Sequence, residues 1–86
     1  MRLHTTHPDI IVRLKRSEGH LKSIIAMIEQ GRECLEIAQQ MQAVERALAN
    51  AKRKLVHDHI DHCLDRAVKK KSRRALDEFK EITKYL

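Results

Sequence analysis

Apolar residues recur at intervals of three and four positions in three stretches of the chain, a spacing typical of one face of an α-helix. The first stretch is predicted to begin near Thr6 and to end at Gly31, because glycine readily takes the left-handed conformation that ends a helix. Its apolar stripe, with Ser17 in one slot, comprises Ile10, Leu14, Leu21, Ile24 and Ile28.

The second stretch covers residues 32–69 and contains no glycine or proline. Its apolar positions are Ile37, Met41, Val44, Leu48, Ala51 and Leu55. A helix of roughly 35 residues would be about 50 Å long, which exceeds what one small globule can bury. The pattern therefore predicts a helix that belongs to a bundle shared between chains.

The basic run at residues 69–74 predicts a break, with Ser72 as the N-cap of a short third helix. The apolar side of this helix comprises Leu76, Phe79, Ile82 and Leu86. The hydrophobic spacing argues against strands throughout. We therefore expect an all-α, three-helix protomer that forms one domain over residues 1–86.

Metal-binding residue types are concentrated at residues 56–63, where His59 and Cys63 are four positions apart and share one helix face. No apolar run could span a membrane and no secretion signal is present, so we expect a cytoplasmic protein whose thiols stay reduced. The second thiol, Cys34, lies roughly 37 Å from His59 along one helix, too far to share a metal. It can join His59 and Cys63 if the second helices of two chains pair antiparallel and cross near Ala47 and Leu48.

Two thiolates and one imidazole form a soft ligand set that favours Cu(I). Zn(II) and Ni(II) would need a fourth ligand. The histidines that could add a ligand, or could simply be solvated, are His4, His7, His57 and His62. The alternatives are a metal chaperone without a DNA role, or a buried Cys34 and a surface His/Cys pair without function.

The net charge of +6 and the sequence pI of about 9.7 predict an anionic partner, which is usually nucleic acid and less often a membrane surface. Basic residues cluster on the first helix, on the second helix and at residues 69–74, where they could contact phosphates or form a solvated face. The candidate DNA contacts are Arg13, Lys15, Arg16, Arg46 and Arg53. We do not expect an enzyme, because the sequence has no glycine-rich phosphate loop and no plausible catalytic triad.

Three segments together resemble the CsoR/RcnR family of bacterial metal-responsive repressors: residues 13–20 (RLKRSEGH), 34–40 (CLEIAQQ) and 58–63 (DHIDHC). The resemblance covers nearly the whole chain. It implies an antiparallel four-helix dimer, a dimer-of-dimers homotetramer and a metal-free form that binds double-stranded operator DNA. It also implies Cys34, His59 and Cys63 as ligands, with Arg13 and Arg16 as the first operator contacts.

Two departures from the copper sensors of that family concern the effector. Glu33 precedes Cys34 where the copper sensors usually have tyrosine. The copper sensors also usually have an acidic partner of the ligands in the last helix, near where this chain has Phe79. Cu(I) is the first expectation, while Ni(II), Co(II), Zn(II), and thiol chemistry with formaldehyde or persulfides remain alternatives.

Overall fold

The structure, a computed structural model, describes residues 7–86. Helix α1 covers His7–Glu29, α2 covers Cys34–Lys69 and α3 covers Arg73–Ile82, and a 3-10 turn follows at Thr83–Tyr85. Residues 7–86 contain no strand, so the predicted all-α class with three helices is confirmed. The predicted helix start at Thr6 and the candidate ligand His4 lie outside the described residues, as does the side chain of His7.

The predicted helix boundaries at Gly31 and Ser72 are confirmed by backbone geometry. Gly31 has φ of 72°, and beyond it the Arg32 N–H donates a 3.0 Å hydrogen bond to the Met27 carbonyl. This is the arrangement in which a left-handed residue ends a helix and satisfies its last carbonyls. At α3, the Ser72 hydroxyl accepts a 3.1 Å hydrogen bond from the Ala75 N–H, as an N-cap does.

Helices α1 and α2 form an antiparallel hairpin. Their polar contacts pair His20 with Gln40 near the turn and Asp9 with Lys54 farther from it, so one helix runs back along the other. Helix α3 packs against the C-terminal part of α2, whereas α1 and α3 do not touch within the described residues. The long helix α2 is therefore the element that connects both packing interfaces.

The predicted apolar stripes divide into a buried and an exposed half. The positions buried in the α1–α2 hairpin include Ile10, Ser17, Ile24, Val44 and Ala51. Ile37 is half-buried, and the remaining stripe positions are exposed: Leu14, Leu21, Ile28, Met41, Leu48 and Leu55. A hairpin of two helices has one seam, and the apolar stripe on each helix is too wide for one partner to cover.

The single chain is too thin to enclose the exposed apolar positions. Its radius of gyration is 17.5 Å and its extents are 57 × 22 × 14 Å. A compact chain of this length would have a radius of gyration of about 12 Å. The unburied apolar faces are therefore available to other protein chains.

On α3, the predicted apolar side is only partly covered. Phe79 and Ile82 are half-buried and Ala75 is fully buried against α2. Leu76 and Leu86 are exposed, the latter because the α-helix ends at Ile82, before Leu86 is reached. The buried Ala75 allows α3 to approach the C-terminal part of α2 closely.

Candidate metal centre

Helices α2 and α3 bring three potential metal ligands together. His59 and Cys63 lie one turn apart on α2, and Glu78 reaches them from α3. Their ligand atoms all lie within 4.8 Å of one another, Cys63 is fully buried and the other two are half-buried. One nitrogen, one sulfur and one carboxylate oxygen at this spacing could hold a metal ion.

Glu78 is shared between the thiol and a neighbouring cation. The Sγ of Cys63 is 4.0 Å from Oε1 of Glu78, and the same oxygen accepts from Nη2 of Arg66 in an ion pair. The Nε of Arg66 is buried and has no hydrogen-bond partner among the described residues. Arg66 thus balances the carboxylate charge beside the thiol, and the Arg66 side chain loses part of its own solvation in this position.

The pKa of the Cys63 thiol is raised, chiefly by burial and further by the nearby Glu78 carboxylate, while Arg66 acts in the opposite direction. The thiol is therefore protonated in the metal-free protein at neutral pH. A metal binds the thiolate and must displace this proton, so metal affinity decreases as the pH falls.

Cys34 lies far from this cluster within one chain. It is the first residue of α2 and is exposed, and α2 continues unbroken through His59 and Cys63. The helical rise places it roughly 37 Å from His59. The structure thus brings together two of the three predicted ligands, and a site completed by Cys34 of another chain stays a prediction.

Glu78 was not among the residues singled out from the sequence. The expected departure from the copper sensors at Phe79 is wrong, because the preceding residue, Glu78, supplies an acidic side chain of the last helix beside the ligands. A signal was present, because Glu78 lies three positions after the buried Ala75 and four before the half-buried Ile82. That spacing places a carboxylate on the inner side of α3. Of the other candidate histidines with described side chains, neither His57 nor His62 belongs to the cluster.

The hairpin also gathers basic residues from separate parts of the sequence. A groove of about 490 Å³ is lined by Arg13 of α1 and by Arg53, Lys54 and His57 of α2, together with Asn50, Asp58 and Asp61. The Arg53 Nη1 donates a 2.6 Å hydrogen bond to Oδ1 of Asn50. The remaining candidate DNA contacts are exposed but do not line this groove, and they are Lys15, Arg16 and Arg46.

Among residues 7–86, no helix combines the length and apolar character needed to cross a bilayer.

Among residues 7–86, the helical fold, the His–Cys–carboxylate cluster and the basic groove are the features expected of a metal-responsive DNA-binding regulator. More specifically, the chain belongs to the CsoR/RcnR family of metal-sensitive transcriptional repressors, which it matches over residues 6–85. The resemblance found in the sequence is thereby confirmed. The family is one of transcriptional repressors, which implies DNA binding and oligomerisation.

Individual relatives differ in the metal that they sense. The chain is 39% identical over 77 residues to the copper-sensing transcriptional repressor CsoR of Bacillus subtilis, covering 84% of this chain and 76% of that protein. It is 35% identical over 74 residues to CsoR of Mycobacterium ulcerans, covering 85% of this chain and 63% of that protein. Among solved structures, the nickel-responsive transcriptional regulator InrS superposes with a TM-score of 0.83 at 30% identity, covering 100% of this chain and 99% of InrS.

Proposed function

We propose that the metal-free protein represses transcription by binding double-stranded operator DNA and that Cu(I) releases it, which derepresses metal efflux and resistance genes. The Cu(I) would be held by Cys34 of one chain and by His59 and Cys63 of the partner subunit. Two thiolates and an imidazole suit this soft ion, which accepts low coordination numbers. The copper-sensing relatives from B. subtilis and M. ulcerans support the same choice.

The observation that carries the intersubunit site is the position of an exposed apolar row on α2. Met41, Leu48 and Leu55 are seven residues apart and are 55%, 40% and 37% exposed. If two α2 helices cross antiparallel at Leu48, Met41 of each chain lies opposite Leu55 of the other. The row is therefore self-complementary, as a two-fold interface requires.

The same crossing completes the metal centre. Cys34 lies fourteen residues before Leu48 and so falls opposite residue 62, within the turn that carries His59 and Cys63. The exposed Cys34 of each chain would then meet the buried cluster of the partner subunit, and each dimer would hold two sites. Apolar burial and metal binding thus require one and the same pairing.

Metal binding would change DNA affinity through α2, because that helix carries both the ligands and the basic positions Arg46 and Arg53. Joining Cys34 of one chain to the cluster of another fixes the distance between the basic faces of the two chains. A coupling free energy of about 1–3 kcal/mol would weaken DNA binding roughly 5- to 150-fold. Phosphate contacts from Arg13, Lys15 and Arg16 on α1 would add to those from α2.

The test of this proposal is an anaerobic titration of the reduced protein with Cu(I) and, separately, with Ni(II), followed by fluorescence anisotropy on DNA from upstream of its own gene. We expect Cu(I) to weaken DNA binding roughly 5- to 150-fold, the range of typical allosteric couplings, and Ni(II) to have no such effect. If neither metal changes the anisotropy, the metal response is refuted, and formaldehyde and persulfides become the effectors to test on the two thiols.

A second candidate effector is Ni(II), with Co(II) and Zn(II) as chemically related ions. The structural basis for these ions is Glu78, whose carboxylate lies within 4.8 Å of the His59 and Cys63 ligand atoms and so could bind the metal directly, rather than act only as the acidic partner that the copper sensors usually have in the last helix. Together with Cys34 of the partner subunit it would complete a four-ligand set, which these ions prefer over three ligands. The likeness to the nickel-responsive InrS points the same way.

Replacing Glu78 by glutamine distinguishes the two assignments. If Glu78 is a ligand of the divalent ions only, we expect Ni(II) affinity to fall at least about 100-fold and Cu(I) affinity about tenfold or less. The measurement is competition of each metal against a chromophoric chelator. Glu81→Gln is the matched control, because Glu81 lies on the same helix but pairs with Lys84 and is outside the cluster. Equal losses for Ni(II) and Cu(I) would contradict a metal-specific role of this carboxylate.

A further inference from the structure

Asp9, in the first turn of α1, contacts two of the three cationic side chains that line the basic groove. Its Oδ2 lies 3.1 Å from the Arg13 Nε and 3.6 Å from the Lys54 Nζ. Arg13 comes from α1 and Lys54 from α2, so one carboxylate oxygen bridges the cations of both helices. The hydrogen bond from Arg13 lowers the pKa of Asp9, which is therefore charged at neutral pH.

A carboxylate oxygen between an arginine and a lysine presents to both cations the same negative charge as a phosphate oxygen would. Arginine and lysine are the residues that proteins use to contact DNA phosphates. A phosphate that enters the groove must either take Arg13 and Lys54 away from Asp9 or stay close to its negative charge. Both outcomes make the binding of that phosphate less favourable.

We propose that Asp9 is a built-in competitor of the DNA phosphates, which holds Arg13 and Lys54 in the free protein and lowers the affinity for DNA. This inference rests on the proposed function, since it presupposes that the groove meets DNA. Phosphate contacts carry no sequence information. Asp9 therefore weakens binding to operator and to unrelated DNA by the same factor.

Such a competitor would help the metal response. A coupling that changes DNA affinity only roughly 5- to 150-fold can empty an operator only if the metal-free affinity is not too high. Asp9 weakens the phosphate contacts and so keeps the affinity for DNA in the range where metal binding changes the fraction of operator that is occupied. Its removal should therefore produce a repressor that holds DNA more tightly in both states.

The test compares the wild-type chain with Asp9→Asn by fluorescence anisotropy, in the metal-free state, on an upstream duplex and on a random-sequence duplex. Asparagine keeps the size of the side chain and removes its charge. From the usual strength of exposed ion pairs, we expect roughly 3- to 10-fold tighter binding, equal on the two duplexes. The plot of log affinity against log salt concentration should steepen by about one unit for each additional phosphate that the variant neutralises.

Asp61→Asn is the matched control. Asp61 lines the same groove but makes no ion pair within residues 7–86, so its substitution reports the effect of charge alone. Asp9→Asn also removes a negative charge from the N-terminus of α1, which destabilises that helix. This loss would weaken DNA binding, so it cannot imitate the expected tighter binding. The inference is overturned if Asp9→Asn binds DNA no more tightly than Asp61→Asn. Failure of the wild-type chain to bind either duplex would instead refute the proposed function.

Discussion

Replacing Cys34 by alanine is expected to leave the metal-free affinity for DNA within about twofold of the wild-type value while the metal response disappears. Cys34 is exposed at the start of α2, and exposed substitutions of this kind rarely change stability by more than about 0.5 kcal/mol. Without the Cys34 thiolate, His59 and Cys63 remain as the only two soft ligands for Cu(I), with the Glu78 carboxylate beside them, and this set binds Cu(I) weakly. Anisotropy of labelled duplex DNA, with and without Cu(I), measures both quantities. Leu35→Ala, a substitution at the exposed neighbouring residue, should keep the full response.

Mixing two defective chains shows whether the site lies between subunits. A Cys34→Ala chain retains His59 and Cys63, and a His59→Ala chain retains Cys34. If Cys34 binds metal together with the cluster of the partner subunit, each mixed dimer holds one intact site, whereas neither variant alone holds any. Dimers purified by two different affinity tags should therefore bind one metal ion. Mixed dimers without tightly bound metal would contradict the intersubunit site.

The elements of the fold that depend on local sequence could be predicted from it. Gly31 ends α1 because glycine adopts the left-handed backbone conformation that is required there. Ser72 begins α3 because its side chain supplies the hydroxyl that caps the helix. The pairing of His59 with Cys63 likewise follows from the helical period alone. None of these predictions needs knowledge of how the helices pack.

What could not be predicted depends on contacts between distant residues. Glu78 joins the cluster only because α3 folds back on α2 at the height of Cys63, a packing geometry that no local pattern specifies. The basic groove is a similar case, since Arg13 and Arg53 are far apart in sequence and meet only through the antiparallel hairpin. The bridging role of Asp9 between Arg13 and Lys54 has the same origin.

The division of the apolar stripes is also a consequence of packing. The periodic pattern marks every apolar position in the same way, whether it is covered within the chain or by another chain. Only the structure separates Val44, which is buried, from Leu48, which is 40% exposed. Leu48 therefore becomes the position at which the proposed assembly can be tested most directly.

Replacing Leu48 by glutamate is expected to abolish assembly and, with it, both metal response and DNA binding. If two α2 helices cross at Leu48, this residue meets its own copy on the two-fold axis, so one substitution places two like charges opposite each other. Burying unpaired charges there costs several kcal/mol. The mass in solution, measured by light scattering, should fall to that of one 10.1 kDa chain. Val68→Glu, at a 75% exposed position beyond the overlap of the paired helices, should leave the mass unchanged.

A charge-reversed partner provides the decisive comparison for this crossing point. Leu48→Lys alone should fail to assemble for the same reason as Leu48→Glu. Mixed in equal amounts, the two variants would place a glutamate opposite a lysine at the axis, and dimers of mixed composition should form. Recovery of the dimer mass only in the mixture requires that position 48 of one chain faces position 48 of the other. If Leu48→Glu alone retains the wild-type mass, α2 pairs elsewhere, and the arrangement that brings Cys34 to the partner subunit's cluster is wrong.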